Sequence, residues 1–152
     1  MKYIIITLIT ILAFSGCSKK NAFNNFMLNE KQELSINSLQ SSKIKRSEKI
    51  EGIFSAIYLN EIYPELFNYN EYFFVYYYMK SEVTNLTLKL NKNLPIKIKK
   101  LSANNRFTNL IKIENNWNNY YLIAFKKEES ISLNLVLEND LYTSDLLNYQ
   151  KD

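Results

Sequence analysis

The 152-residue chain has no histidine. Imidazole is the usual general base near neutral pH, so its absence removes Ser-His and Cys-His nucleophile pairs together with the commonest zinc ligand. Glycine occurs only at Gly16 and Gly52, which leaves no glycine-rich loop to bring backbone amides against a nucleotide phosphate. The single cysteine, Cys17, excludes an internal disulfide and a multi-cysteine metal site. No metal and no cofactor are expected, and packing has to hold the fold. Charge is only mildly unbalanced, with 19 Lys and Arg against 15 Asp and Glu for a net +4. That excess suits a solvated surface better than a nucleic-acid binder. The abundance of Asn, Lys, Ile and Tyr fits an AT-rich coding bias. At 47% hydrophobic residues the chain can bury one core, and its length suits one domain.

The most specific pattern lies at the amino terminus. Met1-Lys2 gives a short positive start, Tyr3 to Phe14 is an apolar run broken only by Thr7 and Thr10, and the small residues Ser15-Gly16 follow. That order is the pattern of a secretory signal peptide. A helix spanning the bilayer needs about 20 apolar residues, and this run is about 12 long, so a cleaved signal helix is favoured over a transmembrane anchor. Phe14-Ser15-Gly16-Cys17 resembles the lipobox of bacterial lipoproteins, although Phe14 stands where leucine is usual. The resemblance implies cleavage before Cys17, diacylglycerol on its thiol and a further acyl chain such as palmitate on its new amino group. Ser18, unlike an aspartate there, looks like an outer-membrane sorting signal. The implied location is a lipid-anchored position in the cell membrane, in the outer membrane, facing the periplasm or the cell surface.

The expected organisation is a signal peptide over 1–16, a lipidated flexible tether over 17–32 and a β-domain over 33–152. Phe23, Phe26 and Met27 have near-helical spacing inside the tether. From Leu34 and Ile36 the period changes to two, and residues 41–48 read as a polar turn. Strands are expected over 49–60, with Gly52 marking a bulge, and over 71–80. Leu86, Leu88 and Leu90 and then Leu94, Ile96 and Ile98 suggest a hairpin turning near Asn91-Lys92-Asn93. Pro95 should sit at a strand start or on an edge. Ile111 and Ile113 suggest a short strand, residues 120–126 and 131–138 a joined pair, and the tail a last edge strand or a frayed helix. Seven or eight short strands without a clear amphipathic helix predict an all-β, antiparallel sandwich. The pattern looks like an immunoglobulin-like module without its cysteine pair, and the whole arrangement resembles small lipoproteins of AT-rich Gram-negative bacteria.

Three groups of residues are candidate contact sites. Tyr72, Phe74, Tyr76 and Tyr78 alternate on one face of the 71–80 strand, forming either a binding face or a covered second layer. Lys97, Lys99, Lys100 and Arg106, with Lys89 and Lys92 as possible additions, could meet the phosphates of lipid or an anionic cell-wall polymer. Trp117 between two asparagine pairs could stack on a sugar, or plug the end of a sandwich. For catalysis only Glu128 with Glu129 and Asp140 with Asp145 are grouped, and adjacent strand residues point to opposite faces. The function expected is therefore a non-enzymatic binding or assembly component of the cell envelope. Its partners would be the membrane, through acyl chains on Cys17, and an envelope protein. The alternatives are a cell-wall or glycan-binding module and, less favoured, a carboxylate hydrolase.

Overall fold

Asn29 caps the first described helix. The structure is a computed structural model that describes residues 29–83 and 85–151. The signal peptide, Cys17 and the Phe23, Phe26 and Met27 group all lie outside the described residues. Helix α1 spans Glu30–Asn37, where Leu34 and Ile36 had suggested a strand. The reason is a capping box. Gln32 N donates to Asn29 Oδ1 at 2.8 Å, and Asn29 N donates to Gln32 Oε1 at 3.1 Å, with Glu30 and Glu33 favourable in the first turn. Three residues assigned to the tether, Glu30, Lys31 and Gln32, thus belong to a helix docked on the domain. Lys31 fixes it by an ion pair with Glu65 at 3.0 Å and by lying over the Tyr63 ring.

Strand β1 (Gln40–Arg46) takes most of the segment expected to be a polar turn. Only Ile44 points into the core, fully buried, while Ser41 Oγ pairs with Ser55 Oγ across the ladder at 2.8 Å. The turn shrinks to Ser47-Glu48, since Arg46 pairs with Lys49 at the start of β2 (Lys49–Tyr58). The register slips between Ile44 and Lys45, opposite Gly52 and Ile50, which is a bulge where glycine had suggested one. Helix α2 (Leu59–Ile62) takes the last two residues of the strand expected over 49–60, and a loop leads to β3 (Glu71–Met79), where a strand over 71–80 was expected.

Strands β4 (Thr87–Leu90) and β5 (Lys97–Leu101) are not a hairpin. The turn exists, with positive φ at Asn91 (47°) and Lys92 (72°) and reciprocal backbone bonds between Leu90 and Asn93, as a type I′ turn requires. Pro95 lacks the N–H to continue the ladder, and the chain leaves to pair elsewhere. Helix α3 (Arg106–Ile111) replaces the expected Ile111–Ile113 strand, because Asn105 and Thr108 form a second capping box and Lys112 ends the helix at φ 51°. Strands β6 (Asn119–Phe125) and β7 (Ser132–Glu138) do not pair with each other either. Both edges of β6 are taken by β3 and β5. The tail forms β8 (Thr143–Ser144) and β9 (Leu147–Gln150).

All pairings are antiparallel, in one curled sheet ordered β4-β7-β8-β1-β2-β3-β6-β5, with β9 also on β7. The curl creates two cores. On one face Phe54, Phe73, Val75 and Phe125 meet Leu88, Leu133, Leu135 and Tyr149 from the β4-β7-β9 end. On the other face Ile57, Phe74, Tyr76 and Tyr120 pack with Leu59, Ile62 and Phe107 of α2 and α3. Among the described residues no helix is long and apolar enough to cross a membrane.

Candidate functional site

The aromatic stripe is divided by the helices. Phe74 is fully buried and Tyr76 is 8% exposed, with Phe74 stacked on Phe107 of α3 at 5.2 Å and on Tyr120 at 6.2 Å. Tyr72 is half-buried against Phe67 at 4.8 Å. Only Tyr78, beyond the helices, is exposed. Phe74 and Tyr76 are therefore core residues here and offer no contact surface. Burial pushes the Tyr76 hydroxyl above its ordinary value. On the opposite face Tyr77 and Tyr121 stack at 5.8 Å, and burial with the Tyr121 hydroxyl alongside raises Tyr77.

Trp117 is 77% exposed, so it does not plug an end of the fold. Its loop is built by asparagine. Asn115 Oδ1 accepts from Trp117 N at 3.1 Å and from Asn118 N at 3.0 Å, and the Tyr120 hydroxyl donates to the Asn115 carbonyl at 3.0 Å. The side chain of Asn115 is thus committed to the turn. The indole stands out from a braced loop immediately before β6.

Lys97, Lys99 and Lys100 of the basic group lie on β5, which among the described residues pairs with β6 alone and is an edge of the sheet. Lys97 and Lys99 pair with Ala124 and Leu122, on the helix-covered face, whereas Lys100 pairs with Tyr121 on the other. Arg106 begins α3, which covers the same face as Lys97 and Lys99. Lys89 does not join them, since it sits on β4 at the far end of the sheet and pairs with Glu138 at 2.7 Å. Lys92 is exposed in the turn before Leu94. The β5 lysines form no ion pair among the described residues. Beside them Leu94, Ile96 and Ile98 are 61, 59 and 58% exposed. Their alternation is legible in the sequence, where it suggests one arm of a hairpin. Among the described residues the row remains open to solvent.

Sequence reasoning missed the most constrained polar group. Glu71 is 1% exposed. Tyr58 donates to its Oε2 at 2.6 Å, and Glu128 N and Lys151 Nζ donate to its Oε1 at 3.0 and 3.1 Å. Lys151 Nζ also bonds the Glu128 carbonyl. Desolvation, with the Glu71 acceptor and charge beside it, drives the Tyr58 hydroxyl far above its ordinary value. The cluster borders a cavity of about 630 Å³ that Glu61, Pro64 and Phe67 also line. Two carboxylates thus face one cavity, but Glu71 is engaged at both oxygens and braces β3 against the carboxyl-terminal tail. Of the grouped carboxylates, Glu128 accepts from Asn91 and Asn93, and Asp145 from Lys45. Among the described residues no acidic or cysteine cluster could hold a metal ion. Comparison with protein-family models, with curated proteins and with solved structures finds no match for this chain.

Proposed function

We propose that this chain is a lipoprotein of the cell envelope, anchored in the outer membrane by acyl chains on Cys17, whose domain is a non-enzymatic binding or assembly component. The observation that carries the proposal is the order of Met1-Lys2, the apolar run to Phe14, and Ser15-Gly16-Cys17. The energetics of anchoring agree: each buried methylene contributes about 0.8 kcal/mol, one acyl chain holds marginally and two hold stably. The domain reads as an immunoglobulin-like sandwich in which the β4-β7-β9 end is one layer and β1-β2-β3-β6 the other. The two inner faces that meet between these layers support this reading.

Labelled palmitate fed to cells should enter the wild-type chain and be lost from Cys17→Ala. Label retained by Cys17→Ala would refute acylation at that residue. Crosslinking in intact cells, with Cys17→Ala as the unanchored control, then addresses the partner. A recurrent envelope protein present only with the wild type supports assembly. A second reading, a glycan-binding module, is favoured by Trp117 alone, an exposed indole on an amide-rich loop. Under that reading Trp117→Ala abolishes retention on cell-wall material.

A further inference from the structure

We infer that the free edge of β5 is the surface by which the domain lies on an anionic bilayer, with Leu94, Ile96 and Ile98 at headgroup depth and Lys97, Lys99 and Lys100 on lipid phosphates. The inference deepens the lipid-anchor reading and rests on it for bringing the domain to a membrane. Three aliphatic side chains stand more than half exposed in one short segment, Ile98 on the edge strand itself and Leu94 and Ile96 in the approach to it, where natural edges are ordinarily blunted by charge, proline, bulges or cover. Alternation puts Lys97 and Lys99 on one flank of the strand and Ile98 with Lys100 on the other, so an edge-on approach brings cations to the bilayer from both flanks. Anionic lipid attracts basic side chains held within a Debye length of its surface.

Charge selects the occupant. From Leu94 to Leu101 the edge carries three cations and no acid, and the recess beside Leu94 and Ile96 sets Lys126 and Lys127 against Glu128 and Glu129, so the cationic excess belongs to the β5 lysines. A second copy of the chain pairing through β5 would set these lysines against their own counterparts, so self-association through this edge is opposed. The indole of Trp117 lies off the Leu101 end of the edge, because its loop precedes Tyr120, the partner of Leu101, while Leu94 and Ile96 lie off the Lys97 end, so indole and aliphatic row bracket the strand. Indole rings favour the membrane–water interface.

Trp117 is the only tryptophan, which makes its fluorescence a direct report on this edge. The full chain is reconstituted into vesicles of phosphatidylcholine alone, or of equal parts phosphatidylcholine and phosphatidylglycerol, each doped with brominated lipid. Quenching of Trp117 should be several-fold stronger in the anionic vesicles and should fall as salt is raised. Lys97→Glu with Lys99→Glu should remove most of that difference, Lys97→Gln with Lys99→Gln about half, and Lys43→Glu with Lys49→Glu, on strands remote from β5, none. Equal quenching in both vesicles, or equal loss in the remote variant, overturns the inference. Binding of polyuridylate or polyglutamate without lipid quenching overturns it in favour of another polyanion. Palmitate incorporation reads the anchor separately, so an unacylated chain that still shows anionic quenching would sink the anchor while leaving this edge assigned.

Discussion

Glu71 shows how a single side chain can tie distant parts of this sequence together. Its oxygens collect the Tyr58 hydroxyl, the Glu128 amide and the Lys151 ammonium, so β2, β3, the loop after β6 and the tail meet at one carboxylate. Removing one partner of a buried ion pair strands the other away from water. Lys151→Met should lower the unfolding free energy by about 2 kcal/mol in a urea titration, with the slope unchanged. A change below a few tenths of a kcal/mol would mean that Lys151 is solvated in practice. Gly52 is constrained by space, since a Cβ there would stand 2.3 Å from the Tyr78 carbonyl oxygen and 2.6 Å from Met79 Sδ. Gly52→Ala therefore forces β2 from β3 and should cost about 1–3 kcal/mol by the same titration. The pH response follows from the titratable groups present. No histidine titrates between about pH 6 and 8, so stability should be flat there. Tyr58, Tyr77 and Tyr149 have hydroxyls raised from the ordinary 10.0. Groups raised in the folded state stabilise it fully below their unfolded value, and that stability is lost as pH rises beyond it. Melting temperature should hold to about pH 9 and fall steeply above pH 10.

At the scale of elements, the long aromatic strand and its neighbour β2 were legible because their apolar residues outnumber every competing signal. The errors were local. Leu34 and Ile36 alternate like a strand, yet the Asn29–Gln32 capping box makes a helix, and Asn29→Ala should cost about 1 kcal/mol, read as a loss of far-UV ellipticity at a lower denaturant concentration. The Asn105–Thr108 box is the same kind of signal, and both could have been found by searching for the cap before the period. Conversely β1 is mostly polar, with one fully buried residue at Ile44. It is a strand because β2 and β8 take its backbone groups, a fact its own side chains do not encode. The Asn91-Lys92 turn was located correctly, but a turn specifies only its own geometry. Its second residue holds a positive φ that glycine adopts without strain, so Lys92→Gly should raise the melting temperature by a degree or more, equivalent to about 0.5 kcal/mol.

For the whole molecule, the carboxyl-terminal tail closes the fold. Strand β9 sends Leu147 and Tyr149 into the main core, Tyr149 donates to the Ala56 carbonyl at 2.6 Å, and Lys151 reaches Glu71. Burial of two large side chains is worth about 1.5–3 kcal/mol each, comparable with the whole stability of a small domain. Deleting residues 147–152 should leave a chain that binds 1-anilinonaphthalene-8-sulfonate and loses its near-UV circular dichroism. A truncated chain with native spectra would show that the tail is an accessory to the sheet. By itself, the sequence determined that the domain is antiparallel and strand-rich, because period-two alternation is a local pattern, and the short apolar run before Cys17, on which the proposed anchor rests, is local too. Which strands pair, which aromatic face is covered and which apolar row stays open were decided only by the tertiary structure. Those outcomes depend on contacts between residues far apart in the chain, such as β6 with β3 and Lys151 with Glu71, and no local window of sequence contains both partners.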